Sequence, residues 1–270
     1  MPNTSKFVSF LSLGLFFASM LSGLIIVFAY HPSLALQSVQ KISFLLPYGN
    51  FFRKLHYFSS EAFIMILLMH IGLELLKNKV LISGSSWNYS ILGFGLVVIL
   101  MFSGFVLKAD LSANAAAQVS FNLIKDTPYL KNILPLFQDH TIFYYKFFIW
   151  HILFLPLILG YAIYRHINTL HVKAQYLSIA LGISVLSLWI FTMPRDIIAG
   201  EKVQNLTSPW FFEGAENLLL KSWSAVFVNL FLIIPFVLLV AYYYSKRKNI
   251  IKILLFLWFL AYIFISVVLR

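Results

Sequence analysis

The sequence predicts an all-α integral membrane protein with seven transmembrane helices, and three observations carry that expectation. The 270 residues are 61% hydrophobic and only 11% charged. Seven apolar runs have roughly the twenty residues needed to cross the hydrocarbon core of a bilayer. Two of those runs each hold two histidines, and ionisable side chains inside a span are costly enough to mark function.

Taken in order, the first span covers about 7–30. MPNTSK before it is too short and too weakly basic for a secretory signal, and no small-residue cleavage site follows, so the run is read as a retained helix. Ser9 and Gly23 stand fourteen apart within it, two small residues on one face. Residues 31–55 form a loop whose amphipathic piece, LALQSVQKISFLL, is expected to lie along the interface. The second span, about 54–76, carries His56 and His70. The third, about 89–108, repeats the fourteen-residue interval with Ser90 and Gly104. A polar connection at 109–140 has room for two surface helices and a proline-centred turn at DTPYL. The fourth span, about 143–166, holds His151 and His166 with Pro156 between them, where a kink would absorb one residue of spacing. Spans at about 175–194, 223–244 and 250–269 complete the count. Between the fifth and sixth lies a second long loop, MPRDIIAGEKVQNLTSPWFFEGAENLLLKSW.

The histidine spacing has a chemical reading. His56 and His70 are fourteen residues apart, and His151 and His166 fifteen. At about 100° per residue both imidazoles of each helix return to nearly one face, about 21 Å apart along the axis. Two such helices facing each other make two bis-histidine sites at matched depths, the arrangement two haems need. With no cysteine, thioether-attached haem, cysteine-ligated iron–sulfur clusters and disulfides are excluded on this chain. The small-residue pairs Ser9/Gly23 and Ser90/Gly104 would let a flat macrocycle approach two neighbouring helices. Arg53, one turn before His56, is positioned to pair with a haem propionate.

The formal charge of +11 points to lipid headgroups and topology rather than to nucleic acid, since no basic stretch accompanies a soluble fold. The N-terminus and short turns hold nine Lys/Arg and one acid, Glu74, in far less chain than the long loops that hold the rest. The expected topology therefore has a cytoplasmic N-terminus, with His56 and His151 near the outer face and His70 and His166 near the inner.

Several stretches then point to a family: SV followed by YGNFFRKLH, MHIG after the second histidine, WN opening the third span, SGFVL near its end, and FFIWHILFLP around His151. Across nearly its full length the chain resembles cytochrome b of the Rieske/cytochrome b complexes, of quinol:cytochrome c reductase type. The form is a bacterial variant with fused N- and C-terminal regions. The resemblance implies a four-helix di-haem region at 1–174 followed by three helices at 175–270. It implies two non-covalent haems b, one on His56 and His151 and one on His70 and His166. It also implies quinol as substrate, a Rieske iron–sulfur protein and a cytochrome c or other acceptor as partners, a homodimeric complex and a bacterial cytoplasmic membrane. SPWFF stands where the family usually has Pro-Glu-Trp-Tyr, so Pro209, Trp210, Phe211 and Phe212 map onto the quinol pocket while the motif glutamate does not. Glu213 and Asp110 are the nearest replacement proton acceptors, with Glu216 also close in sequence. The third span ends in LKAD where the family has Leu-Pro-Trp, a second departure in the same pocket. His171 matches a family histidine near the inner quinone.

Two other classes compete. A haem-b membrane anchor and electron conduit of a non-bifurcating redox complex would keep the histidines but not the outer pocket. A transporter using the histidines as a proton path would hold no haem at all.

Overall fold

The computed structural model describes all residues except 1, 78–81, 129, 133–142, 169, 172, 198–209 and 269–270. The described chain is helical throughout its regular elements: α1 (Pro2–Val27), a short 3-10 turn (Pro32–Leu34), α2 (Ala35–Phe44), α3 (Gly49–Leu76), α4 (Gly84–Val106), α5 (Leu111–Lys125), α6 (Phe143–Ile149), a π turn (Trp150–Phe154), α7 (Leu155–Ile167), α8 (Ala174–Ile190), α9 (Trp210–Leu220), α10 (Ala225–Tyr244) and α11 (Lys248–Val268). Six helices are long and apolar enough to cross a membrane, with α6, the π turn and α7 counted as one continuous span, Phe143–Ile167. The seventeen-residue α8 is the shorter seventh. At 1.5 Å per residue it covers about 25 Å, nearly the hydrocarbon thickness. The protein is therefore an all-α, multi-pass membrane protein of about seven spans.

The chain forms two compact units. Residues 1–101 and 149–195 make the first, and residues 102–148 and 196–270 the second. In the first, α1 packs along α3 and α8. Its core joins Leu11, Leu15 and Phe16 of α1 to Phe63 and Ile64 of α3, Val97 of α4, Leu155 and Leu159 of α7, and Ala180 of α8. Serines let these helices approach closely: Ser22 and Ser59 of α1 and α3 and Ser184 of α8 are all but fully buried. Each hydroxyl is satisfied on its own helix, Ser22 Oγ donating to the Ala18 carbonyl at 2.8 Å and Ser184 Oγ to that of Ala180 at 2.8 Å. A small polar residue thus contributes close packing without leaving a bare donor in lipid. The amphipathic α2 buries Ala35, Ser38, Val39 and Ile42 and leaves Phe44 and Leu45 exposed, as an interfacial helix should.

The fourth span contains a π turn at the place where a kink is expected. The extra residue is taken up just before Pro156, in the π turn, where the Leu155 N–H reaches back five residues to the Trp150 carbonyl. Pro156 explains the position: it has no N–H to offer the carbonyl four residues earlier, so the α ladder is already broken there. A π turn holds one residue more than an α turn. The fifteen-residue histidine interval thereby keeps the facing that fourteen gives on α3.

In the second unit the small core is Leu123, Ala215, Leu218 and Val228. Polar side chains clip its helices together. Asn217 Nδ2 donates to the Ile265 carbonyl at 3.0 Å, Trp258 Nε1 to that of Phe231 at 2.9 Å, and Asn229 Nδ2 to Thr127 Oγ1 at 2.7 Å. Helix α9 is an addition to the expected picture, in which SPWFFEGAENLL belongs to a loop. Ala215 and Leu218, three apart, bury one face, and Glu213 in the first turn suits the positive end of the helix. Of the two surface helices expected within 109–140, α5 is the first; the stretch for the second falls mainly outside the described residues.

Candidate haem-binding sites

The first unit brings the four histidines together as two pairs. His56 of α3 faces His151 of the π turn, ring centroids 6.1 Å apart and planes at 87°. His70 of α3 faces His166 of α7 at 6.4 Å and 72°. Two imidazoles sharing one metal through bonds of about 2 Å hold their ring centroids about 6 Å apart, so both gaps have the width of a shared iron.

The imidazoles are turned for that use. His56 Nδ1 lies 2.9 Å from the Ser19 carbonyl of α1, His151 Nδ1 3.1 Å from the Leu100 carbonyl of α4, and His166 Nδ1 3.1 Å from the Ser86 carbonyl of α4. A ring N–H given to a carbonyl fixes the tautomer and leaves Nε2 as the ligand. Around His56 the serines continue the support: Ser60 Oγ donates to the His56 carbonyl at 2.7 Å and shares a hydrogen bond of 2.7 Å with Ser19 Oγ. Ser86 holds His166 twice, its Oγ donating to the His166 carbonyl at 2.6 Å. Among the described residues His70 Nδ1 is the one buried side-chain nitrogen or oxygen without a hydrogen-bond partner.

Among the described residues no three His, Cys, Asp or Glu side chains gather into a metal site. A protein-only metal centre needs at least three donors, whereas a haem iron brings four from its macrocycle and asks the protein for two. The donor set therefore fits haem. Gly23 lies against the imidazole itself: a Cβ there would meet His56 Cε1 at 3.0 Å and Nδ1 at 3.2 Å. Gly23→Val is accordingly expected to displace the His56 ring and weaken haem retention at that pair, read as a loss of b-type absorbance; an unchanged spectrum would remove Gly23 from the site.

The other expected binding residues are distributed as follows. Arg53 is tied to α2 through Nη1 to Ser43 Oγ at 2.6 Å. Ser9 is half-buried on α1, and Ser90 returns its hydroxyl to the Trp87 carbonyl at 2.7 Å. Gly104 falls in the second unit, and His171 is exposed in the first, between α7 and α8. Beyond His70, at the end of α3, Glu74 accepts from Ser5 Oγ at 2.6 Å and pairs with Lys77. Next to His166, Arg165 lies 4.8 Å from the Tyr89 ring centroid and donates to Tyr161 Oη at 2.9 Å.

In the second unit Pro209 lies outside the described residues, and Trp210 and Phe211 open α9. Phe212 meets the edge of Phe102 at 5.0 Å, and Phe102 in turn contacts Phe147 at 6.2 Å, which gives an aromatic wall. Glu213 is half-buried beside it. Gly214 is pressed so closely on α11 that a Cβ would meet Ser266 Oγ and Tyr262 Cε2 at 2.8 Å. Asp110 caps α5, with its carboxylate accepting from the Ala113 N–H at 2.9 Å.

Two facing histidine pairs in a membrane helix bundle, each with room for one iron, define a b-type haem protein. The family model described as cytochrome b/b6/petB matches residues 3–174, and the chain belongs to the cytochrome b family, whose members bind haem b. Among solved structures, "Hyperthermophilic respiratory Complex III" shares the fold, with a TM-score of 0.65 and 16% identity over 98% of this chain and 91% of that chain.

Neither the carbonyls of Ser19, Ser86 and Leu100 nor Ser60 figures in the expectations from sequence. A backbone carbonyl leaves no mark on residue identity. The serines do carry a signal, since Ser19 lies one helical turn before Gly23 and Ser60 one turn after His56.

Proposed function

We propose that this chain is the di-haem cytochrome b subunit of a respiratory quinol:electron-acceptor oxidoreductase in a bacterial cytoplasmic membrane, with its N-terminus on the cytoplasmic side. The carrying observation is the two histidine pairs at two depths of one bundle, each with the separation of ligands sharing an iron. Bound haem supplies a one-electron carrier at each level. The chain's own residues do the rest. His56 with His151, and His70 with His166, hold the two irons. The carbonyls of Ser19, Leu100 and Ser86 keep three rings turned, and the apolar core of α1, α3, α4 and α7 excludes water between the levels.

Quinol is oxidised at the outer face, against the aromatic wall that Phe212 joins; Pro209, Trp210 and Phe211 are assigned to the same pocket by the resemblance. Quinol releases two protons and two electrons. One electron leaves to a Rieske iron–sulfur protein and then to a cytochrome c or other acceptor; the second crosses between the histidine pairs to a quinone at the inner face, near His171. Glu213 is the proton acceptor this geometry supports best, half-buried on the first turn of α9 next to Phe212. The complex is a homodimer, as the resemblance implies. Glu213→Gln is expected to slow quinol oxidation by about 10²-fold or more, the usual worth of a positioned base, with both b-haem bands intact. An unchanged rate would remove Glu213 from the reaction.

A second reading, a non-bifurcating haem-b conduit, draws support from the Lys108–Asp110 ion pair in the departing LKAD stretch. Isolating the complex decides between them: a co-purifying Rieske protein excludes the conduit, and its absence together with loss of quinol oxidation favours it.

A further inference from the structure

Asp110 is 1% exposed, and both of its carboxylate oxygens are occupied. Oδ1 accepts from the Ala113 N–H at 2.9 Å, the bond that starts α5, and from Ser112 Oγ at 2.9 Å. Oδ2 accepts from the backbone N–H of Ile197 at 2.9 Å and pairs with Lys108 Nζ at 2.9 Å. The Leu111 N–H, one residue on, donates to the Ile197 carbonyl at 3.0 Å. Both backbone groups of Ile197 are thus gripped by the start of α5. Lys108 is itself held, with Nζ 3.2 Å from Ser112 Oγ and 4.7 Å from the Phe105 ring centroid. Ala109, between the two charges, has a φ of 57°. A residue with a side chain stays in that left-handed conformation only where its surroundings over-determine it.

A carboxylate so fully used has little left for a substrate proton. Burial pushes the Asp110 carboxyl up, but Lys108 and the Ile197 and Ala113 N–H groups outweigh it and hold it below the usual carboxylate range. It stays ionised at neutral pH, which suits an anchor and disfavours an acceptor.

We propose that Asp110 is a positioning residue for quinol oxidation, clamping the backbone of Ile197 to the start of α5. Its bearing on quinol rests on the function proposed above; the clamp does not. The chain has no cysteine, so an introduced thiol is the one labelling site on this chain, and the unsubstituted complex gives the background from its partners. In the complete complex, a nitroxide on Ile197→Cys, which keeps the backbone N–H and carbonyl, reads the motion of the gripped stretch. A second nitroxide on Lys125→Cys, at the far end of α5, is the control. Asp110→Ser retains a capping oxygen for the Ala113 N–H but is too short to reach Ile197 or to neutralise Lys108.

The expected result is a freed label at 197, an unchanged label at 125, and a KM for quinol raised roughly tenfold to a hundredfold with the pH profile of kcat unmoved. An immobile label at 197 overturns the clamp. A lowered kcat with a displaced pH profile and unchanged KM would instead make Asp110 a proton acceptor. If the parent complex does not oxidise quinol while Asp110→Ser still frees the label, the quinol function fails and the clamp stands. Should Asp110→Ser not assemble with haem, Lys108→Gln, which removes the ion pair together with the Lys108 contacts to Ser112 and Phe105, supplies the same readouts.

Discussion

His151→Ala is expected to erase the haem proposed for His56 and His151 and to leave the one proposed for His70 and His166 in place. One axial bond is lost outright, and His56 alone, with its ring held by the Ser19 carbonyl, cannot fix the iron on both faces. The second pair lies about 21 Å away along α3, beyond the reach of a local cavity. The reduced-minus-oxidised spectrum of the purified complex should therefore lose roughly half of its b-type absorbance, and bound haem should fall from two per chain to one. Two haems retained in His151→Ala would end the assignment of that pair.

The second large effect concerns the π turn. Deleting Ile152, inside it, shortens the interval between His151 and His166 to that of α3 and lets the turn close as ordinary α-helix. Both haems are expected to survive, because the surplus residue is the one removed. Deleting Gly160 shortens the same interval but leaves the π turn intact. His166 is then carried about 100° around α7 and away from His70. The haem at His70 and His166 should be lost while that at His56 and His151 remains. Each deletion removes one uncharged residue from the same span, so their contrast isolates register. Identical haem content in both would show that the π turn does not set the facing of His166.

The spans were legible because hydropathy is a property of whole segments. Each apolar run ends within a few residues of its helix, down to Ala174–Ile190 as the short one. The facing of His56 and His70 was legible because it follows from spacing on a regular helix, whereas that of His151 and His166 also needs the π turn. What lay beyond the sequence depends on details that spacing does not encode. Pro156 marks a disturbance in the fourth span, but whether a helix answers with a kink or with an extra residue in one turn depends on what it must face. Helix α9 was hidden because SPWFFEGAENLL mixes loop-forming and apolar residues. Its helical pattern makes sense once Gly214 is seen pressed against Tyr262 and Ser266. Asp110 reads in sequence as an acid in a pocket loop; only the four partners around it turn it from a reagent into a fastener.

Three of the four imidazoles are oriented by peptide carbonyls rather than by side chains. A carbonyl has no titration in the biological range and survives any substitution of the residue that bears it, so Ser19, Leu100 and Ser86 can each drift without releasing the ring they steer. The orientation of these ligands is thereby insulated both from acidity and from point mutation. His70, whose Nδ1 has no such partner, is the place where a single substitution on a neighbouring helix would retune one histidine pair without disturbing the other.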